Sequence, residues 1–492
     1  MEQNTQDNKS VSTPDDIQVE QELYAKRQKI YPREVHGIYA TLRNSAVILL
    51  LGIYFILPWT TWNGRQTILF DLPERKFYIF SLTFWPQDFL NLAFLLIIAA
   101  LSLFFFTALA GRLWCGYACP QTVWTELYIW IERLIEGDRL RQIKLDKLSK
   151  WNFTRLWTKT LKHTIWLLIA FFTALTFIAY FRPATALVND LMTFNIGPWE
   201  TFWMFFYTVA TYGNAGWMRE QVCTYMCPYA RFQSAMFDND TLIVSYDKQR
   251  GDPRGSRRAS EDYKNKGLGD CIDCRICVQV CPTGIDIRNG LQYQCIACSS
   301  CIDACDDVME KMHYPKGLIR YTTQNAVDGK KSRILRPRIL IYASILFIFI
   351  SSFTYSVVQR VPLELDIIRD RNQLYRETDG FIENVYTLKI INMDEKDHNY
   401  NLSVSGIKGI VLEMKNGQIS VKSGTVADLP VRVKVDEDTL KTRGTDIVFT
   451  LSAVDDKDLS TSEKARFLGP FMETGEHHEK GEYHHGDDEH HE

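Results

Sequence analysis

The chain has 492 residues, with 56 Lys+Arg against 59 Asp+Glu and a net charge of −3. Near-neutrality excludes a general nucleic-acid binder, which carries a basic excess, and 46% hydrophobic with 23% charged residues excludes wholesale disorder. The 12 cysteines all lie between Cys115 and Cys305, too few for a disulfide scaffold, and their spacing points to metal ligation in a reducing compartment.

Residues 1–37 are polar, and the first apolar run begins near residue 38, too late for a cleaved signal peptide. A bilayer span needs about 20 mostly apolar residues. Five runs meet that need: Ile38–Leu57, Phe89–Leu109, Thr164–Phe181, Pro198–Trp217 and Ile339–Val358. The fourth is the weakest, because it carries Glu200 and two glycines. Four of these spans form a membrane bundle over 38–230, and the fifth, 339–358, stands alone. Gly111–Lys162 holds 10 Lys/Arg, whereas Phe181–Glu200 holds only Arg182. A further basic cluster, Lys330, Lys331, Arg333, Arg336 and Arg338, precedes the fifth run. By the positive-inside rule the N-terminus and the loop 218–338 are expected in the cytoplasm, and the C-terminal region in the periplasm of a bacterial inner membrane.

Two spans run into one repeated motif. Cys115-x3-Cys119-Pro120 follows the second span, and Cys223-x3-Cys227-Pro228 follows the fourth, displaced by 108 positions. On a helix, i and i+4 share a face, so each pair is expected to present two thiolates together. The proline marks a helix end or the start of the next helix. Soft thiolates suit copper(I) or a further iron–sulfur cluster, so Cys115, Cys119, Cys223 and Cys227 are the expected relay or copper site. Two pairs of packing cysteines are the plainer alternative.

Between residues 231 and 338 the signal is stronger. Cys271-x2-Cys274-x2-Cys277-x3-Cys281-Pro282 recurs as Cys295-x2-Cys298-x2-Cys301-x3-Cys305. This is the bacterial ferredoxin run, doubled, in which the fourth cysteine of each run ligates the other cluster. Two [4Fe–4S] clusters are expected, one on Cys271, Cys274, Cys277 and Cys305, the other on Cys295, Cys298, Cys301 and Cys281. Zinc prefers separate C-x2-C pairs. Cys305 departs from the pattern, since Asp306 follows it rather than proline. Helices are expected after Cys281 and after Cys305.

From residue 359 to 470 the pattern alternates, as in Tyr386, Leu388 and Ile390 or Ile447, Phe449 and Leu451. Several short strands over about 110 residues read as an immunoglobulin-like β-sandwich. The tail, 471–492, holds His477, His478, His484, His485, His490 and His491 among acidic residues. Imidazoles suit copper, zinc or nickel, and a solvated polar tail is the alternative. The fold class expected is thus a mixed membrane protein: a five-span helical bundle, an inserted two-cluster ferredoxin domain and a C-terminal sandwich.

These motifs, with Cys115–Glu126, Tyr229–Asp238 and the segment Tyr314–Tyr321, resemble the cytochrome c oxidase accessory protein family CcoG, also called FixG or RdxA. The likeness runs from about residue 30 to 470. It implies a role in building a cbb3-type oxidase, as a Cu(II) reductase supplying Cu(I). The expected partners are a copper ion, a cytoplasmic electron donor, oxidase assembly factors and the lipid bilayer, with no nucleic acid. Two other functions fit the residues: a quinone-linked respiratory electron-transfer subunit, and a non-enzymatic assembly scaffold. No GxGxxG fingerprint in a βαβ context suggests a dinucleotide.

Overall fold

The computed structural model describes residues 29–470, apart from 371–372, 379, 395, 415–418, 441 and 457. The His-rich tail therefore lies outside the described residues. The chain divides into two compact units, one ending at Phe353 and the other beginning at Thr354.

The first unit is built on helices. Helix α1 is Ile38–Ile56, and after a three-stranded antiparallel sheet (β1 Ile68–Asp71, β2 Lys76–Ile79, β3 Leu82–Phe84) comes α2, Phe89–Ala110. Helix α2 has 22 residues and no charge, and Phe89, Leu96 and Phe106 stay exposed on it. An apolar exterior of this kind is what lipid contact requires. Then follow α3 (Leu113–Tyr117), α4 (Pro120–Glu136), α5 (Arg139–Lys147), α6 (Phe153–Ala179), α7 (Ala184–Met192) and α8 (Pro198–Thr211). Asn152 starts α6 by accepting the Arg155 N–H at 3.3 Å. Small residues Ala174 and Ala179 let α6 approach α8, and the Phe177 and Tyr207 rings meet at 4.1 Å.

Among the described residues four helices are long and apolar enough to cross a membrane: Ile38–Trp59, Pro86–Ala110, Phe153–Ala179 and Pro337–Val358. The expected fifth span, Pro198–Trp217, is not confirmed. Its α-helix α8 has only 14 residues and gives way to π-helix over Tyr212–Met218. Gly216 lies in that stretch, and a Cβ there would come within 3.2 Å of the Trp166 ring.

Beyond the π-helix, α9 (Pro228–Ala235) leads to β4 (Ile243–Tyr246), which pairs antiparallel with β5 (Ile319–Thr322). The cysteine octet lies between these strands, with α10 at Ile276–Gln279 and α11 at Ser300–Lys311. The helices thus carry Cys277, Cys301 and Cys305; α11 runs on past Cys305 to Lys311, as expected there, but no α-helix follows Cys281. After Cys281 there is only a short 3-10 turn, Ile287–Asn289. The reason is local: Pro282 and the left-handed Gly284 favour a turn where a helix was expected. Helix α12, Pro337–Val358, follows, and the division between the units falls within its last turns.

The second unit is a sandwich of two antiparallel sheets. Its strands are β6 (Leu363–Arg369), β7 (Arg376–Thr378), β8 (Phe381–Asn392), β9 (His398–Ser405), β10 (Val411–Glu413), β11 (Ile419–Val421), β12 (Val426–Asp436), β13 (Gly444–Ala453) and β14 (Ser460–Leu468). One sheet runs β10-β12-β8-β6 with β7 beside β8, and the other β11-β9-β13-β14. The alternating residues face inward: Tyr386, Leu388, Ile390, Val431 and Val433 from one sheet meet Tyr400, Phe449, Leu451 and Phe467 from the other. The buried Tyr386 hydroxyl donates to the Arg466 carbonyl at 3.0 Å, which joins the two sheets.

Candidate redox site

Both ferredoxin-like runs use the same backbone device. Asp273 and Arg275 flank Cys274 with φ of 51° and 56°, and Ala297 and Ser299 flank Cys298 with φ of 53° and 61°. Left-handed residues on either side of the middle cysteine curl each loop, so that successive N–H groups turn toward one centre, a concavity suited to an anionic sulfide cluster. Two cavities result. One is lined by Cys271, Cys274, Cys277 and Cys305. The other is lined by Cys281, Cys295, Cys298 and Cys301, with Cys277 also on its wall. Each fourth cysteine faces the cavity of the other run. The remaining walls are largely apolar, including Val244, Ile285 and Ile287 on one side and Val308, Met309 and Leu318 on the other.

Among the described residues no three His, Cys, Asp or Glu side chains close on a single ion. The cysteines ring a space instead, and a polynuclear cluster needs that space while a mononuclear zinc site does not. Burial pushes the Cys277 and Cys295 thiols up to about 12, and raises Cys281, Cys301 and Cys305 as well. Such thiols hold their protons until a metal displaces them. The residues present therefore fit two cubane clusters, which would supply one-electron transfer.

The membrane-edge cysteines act on one another electrostatically. Burial is the main cause that pushes Cys115 up to about 12, and Cys119, Cys223 and Cys227 add to it, so all four thiols share one field. Cys223 is pushed up to about 11 by burial, then by Cys119 and Cys227. The helical expectation for each pair needs correction. Cys115 lies in α3, but Cys119 is the extended N-cap of α4, with Pro120 at its first turn. Cys223 lies in a second π-helical stretch, Val222–Met226, and Cys227 is the extended N-cap of α9. Proline favours an extended residue before it, so each pair straddles a helix break.

Residues without a sequence signature hold this arrangement. Gln233 of the second repeat, fully buried, accepts from Cys115 Sγ at 3.3 Å and donates to the Gly111 carbonyl at 3.2 Å. Gln121 of the first repeat donates to the Asn214 and Arg219 carbonyls at 3.0 and 3.2 Å. Arg112 donates to the Ala230 carbonyl at 2.5 Å, to the Cys295 carbonyl at 3.2 Å and to the Tyr293 carbonyl. It thus ties the membrane-edge motifs to the octet. Gly116, between Cys115 and Cys119, sits on the loop between Cys295 and Cys298. A Cβ there would lie 2.8 Å from the Ala297 carbonyl and 2.9 Å from that of Ile296.

Two more contacts dock the octet on the helices. Asp303 of α11 accepts the Ala40 N–H at 2.7 Å and the Tyr39 N–H at 3.3 Å, capping α1. Arg43 of α1 donates to the Cys298 carbonyl at 3.1 Å and to Ser300 Oγ at 2.9 Å. Below the motifs lies buried charge. Burial alone would raise the Glu132 pKa, but Arg219 at 2.8 Å, with Lys162 and Lys29, holds it down at about 2. Arg112 could have been suspected from its place just before the first motif. Gln121, Gln233 and Asp303 carry no signal that a single sequence offers.

Comparison with known proteins agrees with this geometry. A family model for a 4Fe-4S dicluster domain matches residues 218–324, and one for a 4Fe-4S binding domain matches 92–137. A model of the Ig-like fold at the C-terminus of FixG matches 353–470. Protein RdxA of Cereibacter sphaeroides is 39% identical over 424 residues, covering 83% of this chain and 87% of that protein. RdxB of the same organism is 40% identical over 414 residues, covering 81% and 86%. The nitrogen fixation protein FixG of Rhizobium meliloti is 37% identical over 430 residues, covering 80% and 82%.

Proposed function

This chain belongs to the FixG/RdxA family of iron–sulfur redox proteins, and from that premise we propose that it reduces Cu(II) to Cu(I) for assembly of a cbb3-type cytochrome c oxidase. In this reading Cys271, Cys274, Cys277 and Cys305 hold one [4Fe–4S] cluster, and Cys281, Cys295, Cys298 and Cys301 the other. Cys115, Cys119, Cys223 and Cys227 form the relay beyond them, through copper or a further cluster. In this reading a soluble cytoplasmic donor serves the octet, and the basic loop Gly111–Lys162 and the cluster 330–338 support a cytoplasmic side for it.

The observation that carries the reading is the seat of Gly116 on the Ile296–Ala297 loop. It leaves no side chain between the membrane-edge motif and the loop of the second ligand set, and tunnelling distance is thereby kept short. Copper suits the site because Cu(I) is soft and its formation takes a single electron.

Anaerobic stopped-flow spectroscopy tests the reading. Protein reduced with dithionite is mixed with Cu(II), and separately with a quinone analogue. Reoxidation by copper, lost in the Cys115→Ser/Cys119→Ser and Cys223→Ser/Cys227→Ser variants while the EPR of the octet's clusters persists, is the expected result. Reoxidation by quinone alone would make the chain a respiratory electron-transfer subunit. Reoxidation by neither would leave an assembly scaffold.

A further inference from the structure

A partly open cavity lies between the two cysteine groups. Cys223 of the membrane-edge quartet and Cys298 of the octet both line it. An occupant would therefore touch the walls of both proposed redox centres at once. No catalytic or structural role described above uses this space.

The cavity is cationic. Four arginines line it, Arg33, Arg43, Arg133 and Arg219, against Glu126 and Glu220. Arg219 is neutralised from behind by Glu132, at 2.8 Å. Arg43 Nε stands 3.8 Å from Glu126, so that pair is loose. The balance that remains is still positive. Two donors are also idle: Arg43 Nε, on a side chain 8% exposed, and Arg133 Nε are buried with no hydrogen-bond partner among the described residues. A buried guanidinium nitrogen without an acceptor costs free energy until something supplies one. The arm that carries Arg33 is fixed over the cavity by its own backbone, since the Arg33 N–H donates to the Gln279 carbonyl at 2.9 Å.

We propose that this cavity is the acceptor site and that it takes small anions that accept one electron. Hydrated Cu(II) is a dication, and an arginine-lined cavity repels it. Copper therefore arrives as a negatively charged chelate with carboxylate-type ligands, which the arginines bind by charge-assisted hydrogen bonds. The step is an outer-sphere transfer: one electron leaves the reduced iron–sulfur centre, the chelated Cu(II) becomes Cu(I), and no bond is made and no proton moves. The inference rests on the electron-transfer reading above, but not on copper being the physiological acceptor.

Two measurements on the full-length protein test it. Hexacyanocobaltate(III), a redox-inert anion, is titrated calorimetrically into the detergent-purified protein. Binding is expected, weakened about tenfold or more in Arg133→Gln and in Arg33→Glu. Arg33 is exposed, so its substitution leaves folding intact. Reoxidation of dithionite-reduced protein is then followed with ferricyanide and with hexaammineruthenium(III), acceptors of opposite charge. The ratio of their rates is expected to fall about tenfold in both variants, because the anion loses attraction and the cation loses repulsion. No binding of the inert anion, binding that survives both substitutions, or an unmoved rate ratio overturns the proposal. Cu(II) citrate serves as the third acceptor. If it fails while the anion binds and the ratio shifts, the copper reading falls and the acceptor site stands.

Discussion

The β-sandwich and the cysteine octet are held together by different means. In the sandwich the two sheets close on Tyr386, Ile390, Val433, Phe449 and Phe467, all fully buried, and this core needs nothing but its own side chains. In the octet the interior is shared between a few aliphatics and cysteines that ring two cavities. Four non-glycine residues there hold left-handed backbone, which a chain tolerates only when something else fixes it. The sandwich carries its core in its sequence, whereas the octet carries a mould for one.

Iron removal should separate the two regions most. Purified anaerobically, the protein should contain about eight iron atoms per monomer. After chelation, amide exchange over 271–311 should lose most of its protection, while β8, β12 and β13 keep theirs. Equal loss in both regions would erase the contrast. The reverse experiment is a cavity in the sandwich. Ile390→Ala should cost about 2–5 kcal/mol of sandwich stability, since it removes a fully buried branched side chain. The cluster absorbance in the visible should not change at temperatures where the near-UV signal of the sandwich is lost. Coupled loss would show that the two units share their stability.

A smaller effect should sharpen the comparison through pH. His398 in the sandwich is buried, which lowers its pKa. Hydrogen bonds to Asp394 and Asp455, both at 2.8 Å, outweigh that and raise it above the ordinary 6.5. The folded state favours the protonated ring, so its contribution is complete below pH 6.5 and is lost as pH rises through the folded value. Exchange protection of β9, corrected for intrinsic rates, should fall across that window, and His398→Gln should flatten the profile.

The same contrast explains what could be read from the sequence. In the sandwich, period-two alternation is a property of consecutive residues, and Tyr386, Leu388 and Ile390 all face inward as the alternation requires. The octet's spacing was equally legible, because cluster ligation constrains cysteines a few positions apart. What the sequence does not announce lies where a distant partner decides. Pro198–Trp217 reads as a span, a reading that is not confirmed, and no local pattern tells that it winds as π-helix from Tyr212, where Gly216 meets Trp166. The pairs Cys115/Cys119 and Cys223/Cys227 read as helix faces, yet each is broken before its following proline, and Gln121 and Gln233 tie the two repeats together by hydrogen bonds between them. The arginine-lined cavity draws its walls from the N-terminal arm, α1, α4 and both cysteine groups, and no local pattern announces such a meeting.

The cap that Asp303 places on α1 has a consequence for how the protein is made. Asp303 lies 263 residues after Ala40, whose N–H it accepts. The ribosome therefore delivers the first membrane helix long before its cap has been synthesised. Until α11 folds, the opening turn of α1 has donors that only water or lipid headgroups can satisfy. Synthesis and folding therefore run in different orders for this helix: the first long apolar helix to be made is completed at its opening turn only when Ser300–Lys311 has taken its place.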